Sequence, residues 1–287
     1  MSPGLTATSP TNTSSDPPLA HIRALTFDVF GTVVDWRTSV VEELILRAHR
    51  KLASNLSADI SDRLATVTSS ETSGWNAFAQ AWRDSYMAFV RSFNPDRDSW
   101  TSVDEHHRRS LAALLRDWGL DGLYTSAELD SLSLVWHRLL PWPDSAPGLA
   151  AVAAGGRVVT AALSNGNREL LRDLDDFGAL DFGTLLSADM FGAYKPDPAV
   201  YLGAVHELGL EPSQVAMVAA HLADLKAAHA CGLRTIYIQR PQEEAWDEDS
   251  DEYRQAEEWI DLWIAKQDDG LLTLASRLQE ISAGQGD

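Results

Sequence analysis

One cysteine, Cys231, stands in the whole chain, so an internal disulfide is excluded. Among Ala227, Ala228 and Gly232, at the end of a helical pattern, it reads as a small apolar residue rather than a reactive thiol. Positive charge is scarce as well: 23 Lys and Arg face 42 Asp and Glu, a formal net charge of −19. Such a chain repels nucleic acid and anionic membranes, while a local cluster of donors can still hold a small anionic substrate. No run reaches the roughly 18 apolar residues of a membrane span. The N-terminus lacks the basic start and apolar run of a signal peptide. These absences lead to the expectation of a soluble, cytoplasmic protein with neither nucleic acid nor membrane as partner. Large apolar groups are nearly missing from residues 1–20, which are Ser, Thr, Pro and Gly instead. Such a segment cannot offset its ordering entropy and is expected to be a disordered tail.

What remains is enough for one large core or a core with an insertion: 287 residues, 45% apolar. The organising stretch is Ala24-Leu25-Thr26-Phe27-Asp28-Val29-Phe30-Gly31-Thr32. An apolar, β-branched run ends in one carboxylate, then Gly31-Thr32 breaks it, the pattern of a buried strand and turn. Ligands bind at the carboxyl ends of strands in open α/β sheets. Asp28 is therefore a candidate nucleophile, or equally a cap for the following turn.

From about Thr38 to Leu140 the periodicity is helical throughout. Val40, Val41, Leu44, Ile45 and Ala48 share one face, and Trp75, Phe78, Ala79, Trp82, Tyr86, Phe89, Val90 and Phe93 form an aromatic stripe on a second helix. Leu111–Trp118 and Leu129–Leu139 give two more. After Pro141 and Pro143, strands and helices alternate: strands over Arg157–Leu163, Thr184–Ser187, Gln214–Ala219 and Arg234–Gln239, each followed by a helical or turn pattern. Alternation implies a Rossmann-like α/β fold, a parallel sheet with helices on both faces. The expected domains are a sheet domain over 21–37 and 141–287 and an all-helical insertion over 38–140. Residues 243–261 hold ten acidic side chains against one Arg and read as a solvated loop or helix face. His49, His106, His107, His137 and His229 fall on helices without partners in view.

Four strand ends then converge on one edge of the sheet. They carry Asp28 and Thr32, Ser164 and Asn165, Lys195, and His221 with Asp224. Singly these are turn and cap residues; together they are a carboxylate with a hydroxyl, an amide, an ammonium and a second carboxylate.

In these residues the chain resembles the haloacid dehalogenase superfamily over about residues 22–283. The first motif, Asp-x-x-x-Thr after a strand, is matched by Asp28 and Thr32; the second by Ser164; the third by Lys195-Pro196; the fourth, in part, by Asp224. The insertion resembles the family's small cap domain. Phosphatases of the superfamily carry further carboxylates where this chain has Phe30 and Ala220, losing a proton donor and an oxygen ligand for a hard cation. Those losses resemble the L-2-haloacid dehalogenase branch, whose members displace halide from carbon without a metal. Phe30, Ser164-Asn165-Gly166, Tyr194-Lys195-Pro196-Asp197 with Tyr201 beyond, and the cap's Ala81-Trp82-Arg83 agree with that branch.

The resemblance implies a metal-independent, cofactor-free hydrolase that turns a 2-haloacid into a 2-hydroxy acid through an ester of Asp28. Lys195, Thr32 and Ser164 are expected to keep Asp28 ionised, and Arg83 with Asn165 to stabilise the departing halide. The backbone amides of Val29 and Phe30 are expected to receive the substrate carboxylate, Tyr201 to line the substrate side, and Asp224 to activate water. The chain departs from the branch at Ala219-Ala220-His221-Leu222-Ala223-Asp224. The branch often has Ser-Ser-Asn at the first three of these positions and Trp at the fifth. His221 is then an alternative base or a packing replacement, and Ala223 implies a roomier pocket. Competing readings are a phosphatase of the same fold using His221 as proton donor, and a non-catalytic binding descendant. Relatives in the branch are often dimers, and the aromatic-rich cap helices offer a surface for a homodimer.

Overall fold

The computed structural model describes residues 17–69 and 74–284. Of the expected disordered tail, residues 1–16 lie outside the described residues. Residues 17–20 are a turn in which Leu19 and Ala20 are buried, so chain packed against the core starts before residue 21.

The first strand, β1 (Ala24–Phe27), is followed by β2 (Val34–Asp35) and by five helices: α1 (Trp36–Leu52), α2 (Ala58–Ser69), α3 (Gly74–Ser92), α4 (Val103–Asp117) and α5 (Ser126–Ser133). The chain returns through β3 (Leu140–Pro141) and α6 (Ser145–Ala154). It then alternates through β4 (Val159–Ser164), α7 (Arg168–Gly178), β5 (Thr184–Ser187), α8 (Pro198–Glu207), β6 (Val215–Ala219), α9 (Leu222–Ala230) and β7 (Arg234–Ile238). Last come α10 (Asp251–Ala256), β8 (Leu262–Ile264) and α11 (Gly270–Ala283). The sheet is parallel, in the order β5-β4-β1-β6-β7-β8. The α/β expectation holds.

Side-chain alternation assigns each strand residue to one of two cores. Leu25, Phe27, Val218 and Ile236 join a cluster with α1, α6 and α11, whereas Ala24, Met217, Ala219 and Tyr237 join one with α8, α9 and α10. Both faces are covered, which is why the strands read as apolar runs rather than alternating ones. Central β1 has β4 on one side and β6 on the other. This is the switch point where a crevice opens beyond the strands' carboxyl ends.

Helices α1–α5 are entered and left through an antiparallel pair, Val34 with Pro141 and Asp35 with Leu140. Asp35 caps α1, accepting from the Thr38 amide at 3.0 Å. The aromatic stripe of α3 is inward: Trp75, Phe78, Trp82, Tyr86 and Val90 are buried. Trp136 ties it to the sheet end, packing on Trp82, Trp36, His107 and Phe30. The fourth expected helix is shorter than its pattern, because α5 stops at Ser133 and residues 134–137 form a tight 3₁₀ turn. His137, expected to lack partners, lies between Asp173 at 2.7 Å and Asp104 at 2.9 Å. Burial opposes its proton, but hydrogen bonds to the two carboxylates outweigh this and raise its pKa. Among the described residues no helix is long and apolar enough to cross a membrane.

Candidate active site

Asp28 follows β1 directly and is anchored by its amide to the Val218 carbonyl. The chain then turns tightly: Val33 and Val34 donate to the Val29 carbonyl and Gly31 to that of Val34, with Gly31 at φ +87°. A positive φ costs glycine no Cβ clash. The turn folds Thr32 back so that its hydroxyl donates to Asp28 Oδ2 at 2.8 Å while accepting from the Ala220 amide at 2.9 Å. The loop after β1 is thus fastened to the loop after β6. The bonds that close the turn do not use the amides of Val29 and Phe30, the pair expected to meet a substrate carboxylate.

Lys195 reaches Asp28 Oδ1 from the loop before α8, at 2.8 Å, and donates to Asp224 Oδ2 at 2.6 Å. Asn165, after β4, splints that loop: its carbonyl oxygen accepts from the Lys195 amide at 2.7 Å and its amide donates to the Lys195 carbonyl at 3.3 Å. His221, the residue before α9, places Nδ1 3.1 Å from Asp28 Oδ2. The structure therefore brings Asp28, Thr32, Lys195, Asp224 and His221 together, with Asn165 one step behind.

Charge in the cluster is balanced rather than diluted. Burial would raise the Asp28 carboxyl, but the Lys195 charge and the hydrogen bond and charge of His221 hold it far below the usual carboxylate range. Burial would likewise strip a proton from Lys195; Asp224 and Asp28 outweigh it and push the ammonium above its ordinary pKa. For His221 the same contest, against its hydrogen bonds to the Asp28 and Glu243 carboxylates, ends with the imidazole raised to about 10. At neutral pH the resting site holds an ionised Asp28 between two cations.

Arg83 projects from α3 over this end of the sheet. Its guanidinium lies 4.9 Å from the Tyr86 ring centre, 5.4 Å from Trp36 and 5.7 Å from Phe30. A cation over three aromatic faces is attracted by their quadrupoles and kept in a mostly apolar wall. The aromatic two residues beyond Asp28 and the cap arginine therefore share one surface.

Three expected site residues have partners that the sequence did not show. Tyr201 is fully buried and its hydroxyl donates to Asp224 Oδ1, which makes it a support for Asp224 rather than a substrate-lining group. Asp224 accepts from Lys195 on one oxygen and from Tyr201 on the other. The Ser164 hydroxyl accepts from the Gly166 amide at 3.1 Å, shaping its own turn, instead of holding Asp28.

One site residue was hidden in the acidic run. Glu243, in the loop after β7, has a side chain only 4% exposed. Its Oε2 lies 3.3 Å from His221 Nε2 and accepts from Trp36 Nε1 at 3.1 Å. Neighbouring Glu244 accepts from the Leu222 amide at 2.7 Å. A run of ten acids looks solvated as a whole; only Arg240-Pro241 just ahead, at the end of β7 and hence at the site's edge, signalled that its first members turn inward.

A family model of haloacid dehalogenase-like hydrolases matches residues 22–232. The (S)-2-haloacid dehalogenase 1 of Pseudomonas sp. (strain CBS-3) is 32% identical over 240 residues, 77% of this chain and 88% of that protein. The crystal structure of a defluorinating L-2-haloacid dehalogenase superposes with a TM-score of 0.74 at 35% identity, covering 90% of this chain and 95% of the other. A second L-2-haloacid dehalogenase structure gives 0.71 at 38% identity, covering 90% and 99%.

Proposed function

The chain belongs to the haloacid dehalogenase-like hydrolases, and from that premise we propose that it removes halide from an (S)-2-haloacid through an ester of Asp28, without a metal. The observation that carries the proposal is the setting of Asp28: buried, ionised, and clamped by Thr32, Lys195 and His221. A carboxylate so held is a nucleophile with its charge intact and its direction fixed. Orientation of this kind is worth about 7–11 kcal/mol of barrier in well-aligned systems. The relatives named above act on 2-haloacids of the same hand, which supports the substrate class.

In the first step an Asp28 oxygen attacks the α-carbon opposite the halide. The carbon–oxygen bond forms as the carbon–halogen bond breaks, and its electron pair leaves with the halide. Arg83, set among Phe30, Trp36 and Tyr86, faces the charge that develops there. The segment 38–140 acts as the cap that carries Arg83 to the site. In the second step water attacks the ester carbonyl carbon of Asp28, freeing a 2-hydroxy acid of inverted configuration and restoring the carboxylate.

The residues present do not fit a hard cation. Phe30 and Ala220 offer no side-chain oxygen, and both Asp28 oxygens already accept from Lys195, Thr32 and His221. Oxygen ligands are what Mg²⁺ needs. The test is halide release from the two enantiomers of 2-chloropropionate in the presence of EDTA, with Asp28→Asn as control. Release of halide from the (S) enantiomer that survives the chelator and vanishes in the variant supports the proposal. Mg²⁺-dependent phosphate ester hydrolysis with no halide release overturns it.

A further inference from the structure

His221 lies between two carboxylates, with Nδ1 3.1 Å from Asp28 and Nε2 3.3 Å from Glu243. Glu243 is fixed from several sides. Trp36 Nε1 donates to the same oxygen that faces His221, and the carboxylate rests against Gly31, where a Cβ would collide with it. The His221 side chain is 25% exposed while that of Glu243 is 4% exposed, so the imidazole joins a buried acid to solvent. Asp224, the other candidate base, is held by Lys195 and Tyr201.

We propose that His221, positioned by Glu243, is the base of ester hydrolysis, and that alkylation of Asp28 is what arms it. This rests on the Asp28 ester proposed above. The groups facing His221 are Asp28 after β1 and Glu243 after β7. Lys195 sits on the other Asp28 oxygen, and Glu244 holds the adjoining Leu222 amide. In the resting site both carboxylates keep the imidazole protonated, donating from each nitrogen. Ester formation removes the charge of Asp28, leaving Glu243 alone against burial and the Lys195 ammonium. The imidazolium then loses its Nδ1 proton to solvent, so the first half-reaction consumes haloacid and releases one halide and one proton. In the second half-reaction neutral Nδ1 takes a proton from the water attacking the Asp28 carbonyl carbon. The hydroxy acid departs, and both the carboxylate and the imidazolium are restored. Glu243 accepts from Nε2–H throughout, keeping Nδ1 aimed at Asp28 and stabilising the imidazolium as it re-forms. It touches no reacting atom and is a positioning residue.

The test combines rapid mixing of (S)-2-chloropropionate with enzyme in weak buffer near neutral pH, using a pH indicator, halide detection, and mass analysis of the quenched peptide bearing Asp28. In Glu243→Gln the burst of halide is retained, the propionate adduct accumulates, and hydrolysis slows roughly 10²-fold or more. One proton accompanies each halide in the burst and none accompanies the hydroxy acid. In His221→Asn the adduct also accumulates, but its halide burst is free of protons, which come with hydrolysis instead. Protons arriving only with the hydroxy acid in Glu243→Gln, or wild-type hydrolysis of the adduct in His221→Asn, would overturn the proposal. Failure of the ester reading is separate: Asp28→Asn would then still release halide and no variant would carry the adduct.

Discussion

Gly31 and Glu243 occupy adjoining space. The Gly31 backbone stands at φ +87°, and a Cβ added there would run into the Glu243 carboxylate. The glycine thus serves two ends, the turn that returns Thr32 to Asp28 and the seat of the acid behind His221.

Gly31→Ala is expected to destabilise the protein by about 1–2 kcal/mol for the left-handed backbone alone, with a further penalty from the collision. Glu243→Ala removes the obstacle. Urea denaturation of the two single variants and the double should give a double variant less destabilised than the sum, by about 0.5–3 kcal/mol. Simple additivity would mean that the two residues do not press on each other.

Lys195 bridges Asp28 and Asp224, pairing with both carboxylates. Lys195→Met leaves two buried carboxylates facing each other without it, a loss of about 3–5 kcal/mol in stability. Asp28 should then ionise closer to the ordinary carboxylate range, giving any residual dehalogenation an acid limb that the wild type lacks. Thermal unfolding and a pH–rate profile check both.

Among the described residues Arg83 bonds to no carboxylate; its guanidinium lies over three aromatic faces. Arg83→Met should therefore leave unfolding nearly unchanged while kcat/KM falls by about 10²–10³, the usual effect of removing one donor from developing charge. Loss of stability without loss of rate would mark it as a packing residue.

Stability should depend on pH through His221. Its folded pKa of about 10 stands above the ordinary 6.5. Its contribution is therefore fully present below pH 6.5 and is lost as pH rises through about 10. Asp28 behaves oppositely: its folded pKa lies below the ordinary 3.8, so its contribution is present above that value and lost only in stronger acid. His137 shares the direction of His221, so the comparison needed is with His221→Asn. Between neutral pH and pH 10 the wild type should lose more of its unfolding temperature than the variant does; parallel curves would contradict the ion-paired imidazolium.

The strand ends were legible because each carries its own punctuation. Asp28 closes an apolar run before Gly31-Thr32, Lys195 precedes Pro196, and Asp197 with Pro198 caps and opens α8 through the Ala199 amide at 2.8 Å. Alternation of period two and 3.6 likewise exposed the sheet and the buried stripe of α3. What stayed hidden depends on neighbours remote in sequence. Tyr201 fits a helix face equally well beside a substrate or beneath Asp224. Glu243 is one acid among ten until β7 delivers it to His221, and His137 finds Asp104 and Asp173 only when α4 and α7 meet. Side chains that fix a backbone announce themselves locally; side chains that fix one another do not.

The most direct test of the Asp28 ester is a single turnover with substoichiometric (S)-2-chloropropionate in heavy-oxygen water. If Asp28 attacks carbon and water then attacks the ester carbonyl, the heavy oxygen appears in the Asp28 carboxylate. The first 2-hydroxy acid released then carries an ordinary oxygen taken from the protein. Heavy oxygen in the product hydroxyl on that first turnover, with an unlabelled Asp28, would mean that water attacks the α-carbon itself and would contradict the account.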